Sequence, residues 1–293
     1  MRLFIALLLS ALSASAQPAS PLSVDLHTLP PLKSVSVLGQ RIVYYEAGTG
    51  QTLVLVHGFA SRANFDWGHV IPPLAKHYHV IALDQIGFGA SDKPAIDYSI
   101  QTFVDFLGEF LRTLKVQHFA LAGESLGGWI VSNYTIQALA PANQGPYAIP
   151  VPTRLILEDA AGHKALNGRA AVQGSFQEAA GIAIVFHNKS LVTEEYVRQS
   201  WAQKLAANDG QTERLLWGNP KLASETVGGK LQAITVPTLV IWGRDDELVP
   251  LADGQDYANK IPGAKLVVIP ECGHAPSIEK PQEFLAAVDA FLK

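Results

Sequence analysis

Apolar residues in this chain fall into short continuous runs, and the stretches between them carry helically spaced stripes. Residues 53–56, 79–84, 119–123, 155–158, 239–242 and 266–269 are such runs, mostly rich in Val, Ile and Leu. This is the pattern of strands buried on both faces of a parallel sheet. Two further runs, 34–38 and 41–46, flank Gly39-Gln40 and read as a hairpin. Between the runs, residues 99–114 set Phe103, Phe106, Leu107, Phe110, Leu111 and Leu114 on one helical stripe, and 128–139 and 281–292 also read as helices. The alternation predicts an α/β fold with a mostly parallel, doubly wound sheet of about eight strands. It stops between Gly162 and Ile234. There, helical patterns at 176–185 and 194–207 stand without a strand, which predicts a helical cap inserted after the sixth strand, above the carboxyl edge where open α/β sheets keep their ligands. The expected organisation is a core of 32–162 and 234–293 and a cap of 163–233, with no internal repeat.

Composition adds limits. A chain of 293 residues with 48% hydrophobic content can bury a two-faced core and is not globally disordered. Met1-Arg2, an apolar run at 3–12 and Ala14-Ser15-Ala16 have the three regions of a signal peptide, cut after Ala16. That run is well short of the ~20 residues needed to cross a bilayer, and no later one is longer. The expected product is a periplasmic or secreted protein without a membrane span. Residues 17–31, rich in Pro, Ser and Ala, read as a linker. Cys272 is the single cysteine, so no intramolecular disulfide is available and a buried packing role is expected. A formal charge of −4 without a Lys/Arg run argues against a nucleic-acid partner.

The chemistry is concentrated at Gly123-Glu124-Ser125-Leu126-Gly127. A serine between glycines on a strand-to-helix turn is a nucleophile elbow: the backbone is strained, the small neighbours avoid a clash, and Oγ is exposed. An acid and a histidine follow in the required order, in Gly243-Arg244-Asp245-Asp246 and Cys272-Gly273-His274. Each comes just after an apolar run. Ser125 is thus the expected nucleophile and His274 its base. Asp246, Asp245 and Asp159 compete for the role of acid, and the pattern Gly-x-x-Asp-x-x-Val-Pro favours Asp246. No His-Glu-x-x-His or clustered ligand spacing points to a metal, and Gly87-x-Gly89 lacks the third glycine of a dinucleotide site. No cofactor is expected.

With His57-Gly58-Phe59, the segment Asp84-Gln85-Ile86-Gly87-Phe88-Gly89-Ala90-Ser91, the elbow, and Trp242 to Pro250 with Gly273-His274, the chain resembles the α/β-hydrolase fold superfamily from about Val35 to Lys293. The resemblance implies a Ser125, Asp246, His274 triad and an oxyanion hole made by the backbone N–H groups of Phe59 and Leu126. It also implies supporting roles for His57 and for 84–91. Serine at the elbow separates the chain from the dehalogenase and epoxide hydrolase branches, which use aspartate there. The stretches 242–251 and 188–195 resemble the meta-cleavage-product C–C hydrolases. Those enzymes usually carry Asn where this chain has Glu124 and Trp where it has Ala275. Their caps supply an arginine for a substrate carboxylate, and Arg169, Arg198 and Arg214 are the candidates here. The expectation is an exported esterase acting on a small-to-medium apolar ester, with Phe59, Trp129, Phe186 and Trp217 against the substrate. The alternatives are a C–C hydrolase, a cofactor-free perhydrolase or haloperoxidase, and a ligand-binding protein on a hydrolase scaffold.

Overall fold

The computed structural model describes residues 20–164 and 174–293. The segment read as a signal peptide and Arg169 lie outside them. Eight strands form one sheet: β1 (Lys33–Val37), β2 (Gln40–Ala47), β3 (Thr52–Val56), β4 (His79–Leu83), β5 (Phe119–Glu124), β6 (Arg154–Glu158), β7 (Thr238–Gly243) and β8 (Lys265–Ile269). Their order is β1-β2-β4-β3-β5-β6-β7-β8. β1 and β2 are antiparallel, β2 runs antiparallel to β4, and every later pairing is parallel. Val37 pairs with Gln40, which puts the hairpin turn at Leu38-Gly39, one residue before the expected position. Both turn residues have positive φ, as a two-residue hairpin of this twist requires.

The continuous apolar runs are explained by a sheet covered on both sides. Val54, Val56, Leu121, Leu155, Leu157 and Val240 pack on one face with the helices Ile100–Thr113 and Leu126–Leu139. Their strand neighbours Leu53, Leu55, Ala120, Ala122, Ile156 and Leu239 pack on the other, against Trp67, Phe284 and Val288. Successive side chains point to opposite faces, so a strand buried on both needs no polar alternation. β3 lies between β4 and β5, so the winding reverses at β3. The crevice at such a reversal, beyond the carboxyl ends of the strands, is where this class of sheet binds ligands.

Between β6 and β7 the described residues form helices and turns and no strand. The stretch 176–185 is a single α-turn, Phe176–Ala179, continued as a 3-10 helix over Ala180–Val185. Gly181 and the β-branched Ile182, Ile184 and Val185 are poor α-helix formers, which explains the shortfall. Glu194–Ala207 is the expected long helix, capped by Thr193, and Gly210–Trp217 follows it.

The stretch read as a linker is packed from Ser20 onward. Leu22 is buried with Phe186, Tyr196 and Ile278, and Ser20 Oγ donates to the Leu191 carbonyl at 2.6 Å. His69 Nε2 meets the Leu22 carbonyl at 3.1 Å. Pro- and Ser-rich composition does not preclude docking, and the segment also forms a 3-10 turn at Leu26–Thr28, capped by Asp25.

Candidate active site

Ser125 is the hinge between β5 and the Leu126–Leu139 helix, which begins two residues earlier than its apolar pattern suggests. The serine has φ +50° and ψ −115°, a conformation that costs an L-residue about 1–3 kcal/mol and persists only where the surroundings impose it. Ser125 N–H donates to the Glu158 carbonyl at 2.9 Å, and its own carbonyl accepts from Ala161 N–H at 2.9 Å and Trp129 N–H at 3.1 Å. The flanking glycines are steric requirements. A Cβ on Gly123 would overlap the Gly127 carbonyl, and one on Gly127 would overlap the Val56 carbonyl.

Three strand ends then converge. His274, after β8, places Nε2 2.8 Å from Ser125 Oγ and Nδ1 2.7 Å from Asp246 Oδ2. The second Asp246 oxygen accepts from Leu248 N–H at 2.7 Å and Val249 N–H at 2.9 Å. Facing a carboxylate, Nδ1 carries the imidazole proton, which leaves Nε2 free to accept the serine proton.

The other two acids are placed differently. Asp245 turns outward to His187 at 2.9 Å. Asp159 is fully buried; its Oδ1 accepts from Gly243 N–H at 3.0 Å and its Oδ2 has no conventional partner among the described residues. Burial, then the negative charges of Asp246 and Glu158, hold the Asp159 carboxyl well above the usual range. It is a neutral acid backing the one that touches the histidine. Asp159, Asp246 and His274 are also the one convergent set of potential metal ligands among the described residues. However, the 2.7 Å separation of Nδ1 and Oδ2 is that of a hydrogen bond. Two ligands on a tetrahedral ion at about 2.0–2.1 Å would stand roughly 3.3 Å apart.

The loop after β3 is held by buried polar groups. His57 Nε2 accepts Gln85 N–H at 3.0 Å, so its proton is on Nδ1, which donates to the Gly58 carbonyl at 2.8 Å. Gly58 N–H donates to Asp66 Oδ2 at 2.7 Å, and Ser61 Oγ donates to the other Asp66 oxygen. Asp84 accepts from Ala63 N–H at 2.8 Å and Ala90 N–H at 2.7 Å. His57 and Asp84 thus shape the site without facing it. Phe59 and Leu126 lie with Ser125 along the same cavity. The Leu126 N–H, in the first turn of a helix, has no intrahelical acceptor. Cys272 is buried, its thiol pushed up mainly by burial, as a packing residue should be.

That cavity encloses about 510 Å³. Of the expected substrate contacts, Phe59, Trp129 and Trp217 line it, together with Ile182, Ile184 and Val185 from the cap. The Phe59 and Trp217 rings meet edge to face at 5.1 Å. Trp129 offers little more than an edge, being 1% exposed, with Nε1 donating to the Glu225 carbonyl at 2.8 Å. Phe186 is not at the cavity. Its ring is 1% exposed in the seam with Leu22, Tyr196 and Ile278, where an aromatic gains more from burial than at a solvated wall. Of the candidate cap arginines, Arg198 is exposed, paired with Glu194 and set over the Phe176 ring, and Arg214 is exposed. Arg62 and Lys204 line the cavity instead, Lys204 being paired with Asp209 at 2.9 Å and with Glu213. Glu124 and Asp66 complete a polar corner that motif reading missed. Glu124 was visible only as a residue next to the nucleophile, and nothing in the sequence pairs it with Asp66.

The reversed sheet, the strained elbow and the hydrogen-bonded Ser-His-Asp chain define a hydrolase-type α/β site. Residues 53–288 match the model of the alpha/beta hydrolase family, and the chain belongs to that family. The 2-hydroxymuconate semialdehyde hydrolase of Pseudomonas sp. (strain CF600) is 30% identical over 89% of this chain and 93% of its own. A meta-cleavage product hydrolase from Pseudomonas fluorescens IP01 superposes with a TM-score of 0.79 at 25% identity, covering 91% of this chain and 98% of that one. Est816, an N-acyl homoserine lactone degrading enzyme, superposes with a TM-score of 0.74 at 26% identity, covering 88% and 100%.

Proposed function

We propose that the chain is an exported serine hydrolase that cleaves a small-to-medium apolar carboxylic ester through an acyl-enzyme. The observation that carries this reading is the Ser125–His274–Asp246 hydrogen-bond chain opening on a largely apolar cavity. In the proposed cycle His274 Nε2 takes the Ser125 proton as Oγ attacks the carbonyl carbon. The oxyanion forms against the N–H groups of Leu126 and Phe59. The imidazolium, stabilised by Asp246, then protonates the leaving alcohol, and water repeats the sequence on the acyl-enzyme. Export rests on residues 1–16, and the expected mature N-terminus is Gln17. N-terminal sequencing of the protein recovered from cell fractions tests that.

The direct test is hydrolysis of p-nitrophenyl esters from acetate to palmitate by the protein and by Ser125→Ala. A loss on the order of 10⁶-fold in kcat is expected for the variant, with the chain-length optimum set by the cavity. Undiminished turnover in Ser125→Ala would refute the assignment.

A second reading, C–C hydrolysis of a carboxylate-bearing dienoate, is favoured by the dienoates that two relatives are named for and by Arg62 on the cavity wall. Against it stand the outward-facing Arg198 and Arg214. Loss of dienoate absorbance, with no ester turnover, would favour it over the ester reading.

A further inference from the structure

Glu124, the last residue of β5, is buried, lines the active-site cavity and has no part in the triad. Its Oε1 lies 3.5 Å from His274 Nε2, the nitrogen that must activate each nucleophile in turn. Its Oε2 lies against Gly58, where an added Cβ would overlap it, on the side of Asp66, whose Oδ2 takes the Gly58 N–H at 2.7 Å. Both Asp66 oxygens already accept, from Gly58 N–H and Ser61 Oγ, so a proton between the two carboxyls belongs to Glu124. Consistent with this, burial and then the charges of Asp66 and Glu158 hold the Glu124 carboxyl well above the usual range. The proton on the Asp66 side leaves Oε1 as a carbonyl-type acceptor facing Nε2.

We propose, resting on the serine-hydrolase reading above, that Glu124 is a positioning residue for deacylation: Oε1 and His274 Nε2 together seat the water that cleaves the acyl-enzyme. Before acylation Nε2 is occupied by Ser125 Oγ. Once Oγ is esterified it offers no proton, and a water can place one hydrogen on Nε2 and the other on Oε1. The water oxygen attacks the acyl carbon and its proton passes to Nε2. Collapse breaks the carbon–Oγ bond, the proton returns from Nε2 to Oγ, and the acid leaves. Glu124 exchanges no proton in this sequence; it fixes the second hydrogen and so the direction of the attacking lone pair.

The test is stopped-flow hydrolysis of p-nitrophenyl butyrate by the full chain, Glu124→Met and Glu124→Gln. Met fills the space without an acceptor, and misplacing the water should slow deacylation about 100-fold. A burst of nearly one p-nitrophenolate per site should then precede a slow steady state, while the rate of Ser125 labelling by a fluorophosphonate stays unchanged. Gln keeps a carbonyl for the water and an N–H for Asp66, and should deacylate near the parent rate. If acylation and deacylation fall in the same proportion, or Gln is as slow as Met, the proposal is overturned. Should Glu124→Met lack a cooperative thermal transition, Glu124→Ala takes its place with the same readings. A parent protein that neither turns over nor labels removes the serine-hydrolase reading and this proposal together. A parent that turns over, with variants that deacylate normally, removes only this one.

Discussion

Asp246 and Asp159 follow neighbouring strands, yet only one of them touches the histidine. Both Asp246 oxygens are committed, one to His274 Nδ1 and the other to two backbone N–H groups. Asp246→Asn would keep these contacts in shape but present the wrong partner to Nδ1, and kcat should fall by about 10⁴. Asp159→Asn should behave otherwise. Its amide oxygen can take the Gly243 N–H and the amide sets no charge against Asp246, so kcat should stay within about tenfold, the worth of about one hydrogen bond. Equal losses in the two variants, measured with one ester, would instead make Asp159 the working acid. At this scale the sequence was informative where chemistry follows spacing. Ser125, Asp246 and His274 each follow an apolar run and carry a motif. The raised carboxyl of Asp159 follows from its burial and then from the nearby charge of Asp246, and no spacing along the chain encodes either.

Cap and core meet through backbone as much as through apolar packing. His274 N–H donates to the Val185 carbonyl at 2.6 Å, tying the catalytic loop to the end of the Ala180–Val185 turn. Glu279, in the short helix Pro276–Glu279, accepts from Gly273 N–H at 2.8 Å, His187 N–H at 3.0 Å and Asn188 N–H at 2.8 Å. A single carboxylate thus holds the loop before His274 and the first cap residues beyond the turn. Glu279→Ala would leave these donors to find water, at about 1–3 kcal/mol for any that stays buried. The expected result is a lower Tm together with a kcat reduced about tenfold or more, since small misplacements of a base are costly. A fall in Tm with kcat unchanged would show that the clasp stabilises the protein without aligning the histidine. The core strands and their helices were readable because each repeats one periodicity over many residues. The stretch between β6 and β7 was readable as the place where that repetition stops and, within it, as the helix Glu194–Ala207. Its short 3-10 turns leave no periodic trace, and the seam residues Phe186 and Leu22 are set by tertiary fit.

Taken over the whole molecule, the site is built over a cluster of buried acids. Asp66, Glu124, Glu158, Asp159 and Asp246 lie together under the elbow and the histidine loop, all of them buried. Charging them all would be prohibitive, so folding takes up protons. Glu158 shows the consequence most clearly. Burial pushes its carboxyl up to about 8, opposed by the hydrogen bond from Ser277 N–H at 2.6 Å and reinforced by the charge of Asp66. In the unfolded chain the same group titrates near 4.5. Below that value the carboxyl is protonated in both states and its contribution is complete. As pH rises from about 4.5 to about 8 the unfolded state loses its proton while the folded state retains it. Stability therefore falls across that window, by up to about 1.4 kcal/mol per pH unit for one group. Glu124 and Asp159, raised in the same direction, steepen the decline. The Tm should accordingly be higher near pH 5 than near pH 8. Glu158→Gln, which has no proton to lose and keeps an acceptor for Ser277, should flatten part of the slope and be more stable than the parent at pH 8. Thermal unfolding of both proteins at half-unit steps measures this directly. Parallel curves would mean that Glu158 is ionised in the folded state and that the acidic cluster is neutralised in some other way.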